Sequence, residues 1–372
     1  MKLFECQHCG QLLYFENTRC ERCGHVLGYL PDREDLVTLT GDGGGLWYVL
    51  DDAGEAFAFC ANAAYDVCNW LVPATAAVTH CRACRLNRTI PNLDETENLL
   101  LWRRLEAAKH RLVFGLLRHR LPLVSKFDDI EKGLAFDFLA GSGATFREGP
   151  QVITGHSRGL ITIDISEADD AERERHRQDL AEPYRTLLGH FRHESGHYYW
   201  ERLVRGGVWH EAFRDEFGDE RYDYGSALQA HYANGGKPGW QDQYVSSYAS
   251  AHPWEDFAET WAHYLHMVDT LETAAAFGLR VRPEAGRNAA LEMDIDFDPF
   301  RQDNFDALVA AWLPLTYAVN GLNHSMGQQD LYPFVLAPRV MGKLRFVHGL
   351  IHRDSGAKRT EASKPDLPER EL

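Results

Sequence analysis

Hydrophobic positions in this chain change their period near residue 90. Before it, apolar residues come in short runs broken by turns such as Thr40-Gly41-Asp42-Gly43-Gly44-Gly45, in a stretch rich in Cys and Gly. After it, longer periodic patterns take over. From Glu95 to Leu117, Leu and Trp recur at helical spacing behind the turn at Pro91-Asn92, which predicts an amphipathic helix joining the two parts. The basic stretch from Arg103 to Lys126, with Arg104, Lys109, Arg111, Arg118 and Arg120, reads as the solvated face of that helix. Further on, Ile161, Ile163 and Ile165 alternate with Leu160, Thr162 and Asp164, the signature of a half-buried strand. A helical pattern then runs from Pro183 to Val204 and stops at Gly206-Gly207. A polar, Gly-rich passage from Tyr222 to Gly239 precedes a helix expected from Trp254 to about Thr273, and another is expected over Asp303 to Tyr317.

These patterns predict an α+β chain: a small β-rich module over 1–90, a mainly helical domain over 91–353, and a tail. The tail, 354–372, is charged and carries Pro365 and Pro368, so it is expected to be disordered.

Composition narrows the partners. The 372 residues are 44% hydrophobic, ordinary for a protein with a substantial core, and the formal net charge is −16. A surface of that sign repels a phosphate backbone, so no nucleic acid is expected. No stretch of eighteen consecutive apolar residues occurs, so no membrane span is predicted, and no export signal precedes the first cysteines. A cytoplasmic location is the expectation.

All eight cysteines fall between Cys6 and Cys84. Cys6-x2-Cys9-x10-Cys20-x2-Cys23 pairs two knuckles across a short hairpin, the spacing of a four-cysteine zinc ribbon. Thiolate ligation would supply folding energy that so small a segment cannot draw from its own core. Cys60, Cys68, Cys81 and Cys84 form a less regular second set, with His80 as the substitute ligand should one cysteine be free. Sites closed by four thiolates are structural, or serve recognition of a protein partner.

His193-Glu194-Ser195-Gly196-His197 is an HExxH sequence inside the predicted helix. The four-residue spacing stacks both imidazoles on one face, where they can share one Zn²⁺, and sets Glu194 beside the metal as a general base. A small residue at Gly196 lets another segment pack close. The extended metzincin pattern fails, because Trp200 stands where its glycine belongs and Leu203 where its histidine belongs. Trp254-Glu255-Asp256-Phe257-Ala258-Glu259 offers Glu255 and Glu259 four residues apart; one can bind zinc while the other orients a histidine. His252, His263 and His266 near the same helix read as core or supporting residues.

The E-D-F-A-E run after HExxH resembles gluzincins of the lethal-factor-like kind, which implies Glu255 as third ligand and leaves Glu259 to orient a histidine. In those enzymes a tyrosine seven residues before the ligating glutamate stabilises the tetrahedral intermediate; Tyr248 stands there. The whole chain resembles a family of zinc-binding metallopeptidases with an N-terminal zinc ribbon. That likeness rests on Cys6-Gln7-His8-Cys9-Gly10, Cys81 to Ile90, the HExxH, the E-D-F-A-E run and Ser325 to Pro333. It implies a gluzincin-like peptidase domain acting on a peptide or protein with one catalytic and two structural zincs. In zincins an edge strand above the HExxH helix binds substrate, and Leu160, Ile161, Thr162 and Ile163 are the candidates. The alternative is a zinc-ribbon interaction or regulatory protein whose C-terminal metal site is vestigial or structural.

Overall fold

The computed structural model describes residues 2–141, 154–173, 186–284, 289–334 and 336–361. It opens with a hairpin, β1 (Phe4–Glu5) and β2 (Leu12–Leu13), that carries the first cysteine knuckle on its turn. A five-stranded antiparallel meander follows: β3 (Val26–Leu30), β4 (Asp35–Gly41), β5 (Trp47–Val49), β6 (Asp52–Phe59) and β7 (Leu71–Pro73). Side chains alternate across β4, so Val37 and Leu39 join Leu30, Val49, Phe57 and Leu71 in a small core on one face. Leu36 turns to the main core with Leu27 and Tyr29.

The second sheet has the order β10-β11-β9-β8, from β8 (Asn87–Thr89), β9 (Ala135–Leu139), β10 (Gly155–Ser157) and β11 (Leu160–Asp164). β8 and β11 run parallel to β9, while β10 returns antiparallel along β11. Arg158 and Gly159 close that return with φ of 48° and 77°, the left-handed pair that a two-residue hairpin of matching twist requires. Gly159 is also held by space, since a Cβ there would lie 2.2 Å from the Gly133 carbonyl oxygen.

Seven helices complete the described residues: α1 (Thr96–Arg118), α2 (Leu187–Tyr199), α3 (His210–Phe217), α4 (Tyr224–Asn234), α5 (Pro253–Ala276), α6 (Phe305–Ser325) and α7 (Pro338–Glu361). α2 packs chiefly on α5 and also on α1, and it passes into a π turn at Trp200–Val204. Thr186 caps α2 by accepting from the Gly189 N–H at 2.9 Å, and His252 caps α5 through the Trp254 N–H at 3.1 Å, with Pro253 in its first turn. The fold is a β-rich N-terminal region followed by a largely helical one, α+β as predicted.

The two regions that meet near residue 90 share their packing: β8 joins the second sheet, and one continuous core runs from Phe4 to Ile351. Three expectations change. Lys109 is wholly buried rather than solvated, because its ammonium meets Glu106 at 2.8 Å and the side chain of Asn87. Leu160, Ile161, Thr162 and Ile163 do not form an edge, because β10 and β9 flank β11 on both sides; among the described residues β10 and β8 are the edge strands, and β10 is the one beside α2. Finally, α7 runs through Glu361, so 354–361 is helical, while 362–372 lie outside the described residues. The expected helix from Pro183 begins at Leu187 among the described residues, since 174–185 lie outside them.

α6 is long and apolar enough to cross a bilayer by length and composition. It nevertheless packs on α5 and buries Phe305, Leu308, Trp312 and Leu315 in the main core.

Candidate metal centre

HExxH places His193, Glu194 and His197 on the face of α2 turned toward α5. A Cβ at Gly196 would fall 2.8 Å from Ala258 Cα and 3.2 Å from Trp261 Cβ, so the glycine is what allows the two helices to approach. Trp261 Nε1 donates to Ser195 Oγ at 3.2 Å, and Arg192 ion-pairs with Asp269 and contacts His266, fastening the same pair of helices along their length.

At this contact the structure brings His193, His197 and Glu255 together. The two Nε2 atoms are 3.2 Å apart, Glu255 Oε2 is 3.0 Å from His193 Nε2, and Oε1 is 3.6 Å from His197 Nε2. A tetrahedral zinc with bonds of about 2.0–2.1 Å spans ligand atoms about 3.3–3.4 Å apart, so the donor set fits that ion. His193 Nδ1 donates to Glu259 Oε1 at 2.7 Å, which leaves Nε2 as the ligand nitrogen, and Ser246 Oγ fixes Glu259 Oε2 at 2.6 Å.

The electrostatics favour a cation. Burial opposes charge on His193, yet hydrogen bonds and charge from Glu255 and Glu259 hold its pKa well above the ordinary value. Burial raises the Glu255 carboxyl, but His197 and His193 outweigh it and hold that group well below the usual range. The same carboxylates that would retain a proton there would retain a metal.

Glu194 is buried, with Oε1 accepting from His190 Nε2 at 3.2 Å and Oε2 without a hydrogen-bond partner among the described residues. Burial raises its carboxyl, but the His190 hydrogen bond and the neighbouring imidazoles bring it below the usual value, so the group is ionised. His190 in turn donates from Nδ1 to Glu167 Oε2 at 2.5 Å, and Thr154 Oγ1 donates to Glu167 Oε1 at 2.7 Å. Burial opposes protonation of His190, but Glu167 and Glu194 raise its pKa to about 10. Sequence reasoning missed this chain. His190 stands one helical turn before Glu194, a spacing that could have marked it, whereas Glu167 comes from the short helical turn after β11 and left no signal.

Tyr248 is near the centre, its ring 5.9 Å from that of His193. Burial, then the Glu255 charge, raises its pKa well above the ordinary value, so the phenol keeps its proton. A second phenol was not foreseen: Tyr224 donates to Glu255 Oε1 at 2.6 Å from the start of α4. Trp254 packs on the His197 ring at 4.2 Å. His252 binds the Tyr222 carbonyl at 3.1 Å and His263 meets the Tyr332 hydroxyl at 2.9 Å, so both are supporting residues. Edge strand β10 lies against α2, its His156 ring 6.2 Å from His197. Beyond its tip is a cavity of about 440 Å³ lined by Arg88, Lys126, Phe127, Ile130, Ser157, Arg158 and Leu160.

The cysteines gather as their spacing predicts. Cys6 and Cys23 sulphurs are 3.6 Å apart, as are Cys9 and Cys20. In the second set Cys68 and Cys81 are 3.7 Å apart, with Cys60 and Cys84 close by. A tetrahedron with Zn–S bonds of about 2.3 Å has an edge of about 3.8 Å, so both sets suit zinc. Backbone N–H groups of Trp70, Cys81 and Cys84 point at the second set's sulphurs from 3.3–3.4 Å. His80 takes no part in it; its ring bonds Thr79.

Residues 98–350 match the family described as "putative zinc-binding metallo-peptidase", and residues 3–95 match a zinc-ribbon domain. An uncharacterized protein of Mycobacterium tuberculosis and one of Mycobacterium bovis are each 42% identical to this chain over 352 residues, 94% of it and 95% of theirs. No solved structure matches the chain. With helices that converge on a histidine and glutamate centre behind two cysteine clusters, and with a match over most of its length, the chain belongs to this zinc-binding metallopeptidase family with an N-terminal zinc ribbon.

Proposed function

We propose that the chain hydrolyses peptide bonds in the gluzincin manner, with His193, His197 and Glu255 holding the catalytic zinc and both cysteine clusters holding structural ones. A zinc ion held there supplies Lewis acidity to the scissile carbonyl and acidity to an attacking water. Glu194 is the general base: its ionised carboxylate, with Oε2 uncommitted, takes a proton from the water and hands it to the leaving amine. His190 orients Glu194 through Oε1, and Glu167 fixes His190. Tyr248, buried and protonated, is the donor to the oxygen that gains negative charge, while the Tyr224 hydroxyl holds Glu255 Oε1.

The substrate's main chain pairs with the outer edge of β10, unpaired among the described residues and beside α2, in place of the internal β11. Eight cysteines gathered as thiols favour a reducing compartment, hence a cytoplasmic enzyme.

The carrying observation is an HExxH glutamate with one oriented and one uncommitted oxygen, set beside a three-ligand triangle. An interaction protein with a structural metal site has no need of it. The test is Glu194→Gln. Zinc content should stay at the wild-type value while cleavage of a mixed peptide library, followed by mass spectrometry, disappears. Wild-type protein that holds zinc and cleaves nothing in the library would instead favour the interaction-protein reading.

A further inference from the structure

We propose a second metal site on the outer face of the first cysteine cluster, formed by His8, His25 and the thiolate of Cys23, that takes a borderline divalent cation such as zinc. His8 sits inside the first knuckle, between Cys6 and Cys9, and His25 follows the second knuckle by two residues. The hairpin geometry that gathers the four sulphurs therefore also brings the two imidazoles together. Their rings are 4.2 Å apart at 32°, and His25 Nδ1 lies 3.3 Å from Cys23 Sγ. One donor atom from each of the three residues falls within 4.8 Å of the others. A tetrahedral zinc with one sulphur and one nitrogen ligand spans about 3.6 Å between them, so small side-chain rotations complete the triangle.

Charge and access agree with the geometry. Four thiolates around one Zn²⁺ leave the cluster with two excess negative charges, and a thiolate sulphur keeps lone pairs that can bridge to a second ion. The nearby guanidiniums do not occupy the place, since Arg22 reaches the Cys9 carbonyl at 3.2 Å and Arg19 the Gly24 carbonyl at 2.5 Å. His8 is exposed and Cys23 and His25 are half-buried, so an ion reaches the site without any opening of the fold.

The second cluster supplies a contrast. Behind it Cys84, Glu106 and His110 also form a trio of possible ligands, but all are buried and the Lys109 ammonium already rests on Glu106 at 2.8 Å. That trio has its cation built in, whereas the trio at the first cluster faces water. An ion bound by His8 and His25 would sit one shared sulphur from the ribbon's own zinc, which makes the first cluster the exchangeable one of the pair.

The experiment uses the full chain carrying His193→Ala/His197→Ala, so that the helical site contributes no zinc. Equilibrium dialysis against a graded series of buffered Zn²⁺, followed by elemental analysis, should show about two tightly held zincs and about one weaker one per chain. Adding His8→Ala/His25→Ala should abolish the weaker uptake and leave the tight zincs in place, and the exposed single change His8→Ala should weaken it in the same direction. Cadmium-113 NMR should show a resonance for a mixed nitrogen and sulphur site that disappears with these changes. The proposal is overturned by no uptake beyond the tight zincs, by equal uptake in the variants, or by loss of a tight zinc, which would make the imidazoles part of the four-cysteine site.

Discussion

The cysteine centres and the histidine centre hold their ligands by opposite means. The thiolates stand on short turns of strands only two to eight residues long, and in the second set backbone N–H groups are aimed at the sulphurs. The imidazoles and Glu255 stand on helices of 13 and 24 residues that are locked by a glycine contact, a buried ion pair and a tryptophan hydrogen bond. In the first region the strands are too short to fix the cysteines without a cross-link, although they share the main core; in the second the helices fix the spacing of the ligands by themselves.

The sharpest way to break that comparison is to remove metal from each region. Cys60→Ser/Cys81→Ser should unfold the N-terminal half and expose Trp70, because apparent binding free energies for structural zinc are about 10–16 kcal/mol. His193→Ala/His197→Ala should lower zinc content yet leave the thermal midpoint close to wild type. Calorimetry with zinc analysis checks both, and equal destabilisation would end the distinction.

Next in size is Glu194→Gln, expected to reduce kcat by about 100- to 10,000-fold with unchanged melting. Tyr248→Phe should then cost about 100- to 1,000-fold in kcat with little change in KM, the loss expected for one donor to a developing oxyanion. If Tyr224→Phe gives the larger loss, the two phenols exchange roles. Gly196→Ala should cost about 1–3 kcal/mol, since the new methyl meets the α5 backbone and must move a helix.

The smallest effect is a pH dependence of stability. Glu167 and Glu194 raise the His190 pKa to about 10. The stability this gives is fully present below the unfolded value of about 6.5 and is lost as pH rises through about 10. The difference in thermal midpoint between wild type and His190→Gln should shrink across that interval.

Local spacing was legible in the sequence. HExxH on one helix, Glu255 and Glu259 on another and the small residue at 196 follow from helical periodicity, the two cysteine sets follow from paired or near-paired knuckles, and the structure brings each group together. What was not legible depends on elements meeting across the fold. Tyr224, at the first position of α4, and Glu167, in the short helical turn after β11, reach the site from elements whose own periodicity says nothing of HExxH. Lys109 has the helical position of a surface lysine, and only the arrival of Asn87 beside Glu106 of the same helix explains its burial. The alternation in β11 gave the strand and its buried face correctly, but pairing partners lie along the other axis of a sheet, so the pattern carried no information about which strand is the edge.

The contact at Gly196 has one more consequence. It fixes the gap between the two helices that carry His193, His197 and Glu255, so their triangle has a set size. An ion with bonds of about 2.0–2.1 Å can enter without moving a helix. Calcium, which requires six to eight oxygen ligands at about 2.3–2.6 Å, would have to pry the pair apart. Discrimination among cations is thus written into the spacing of the two helices, set by the one residue in the motif that has no side chain.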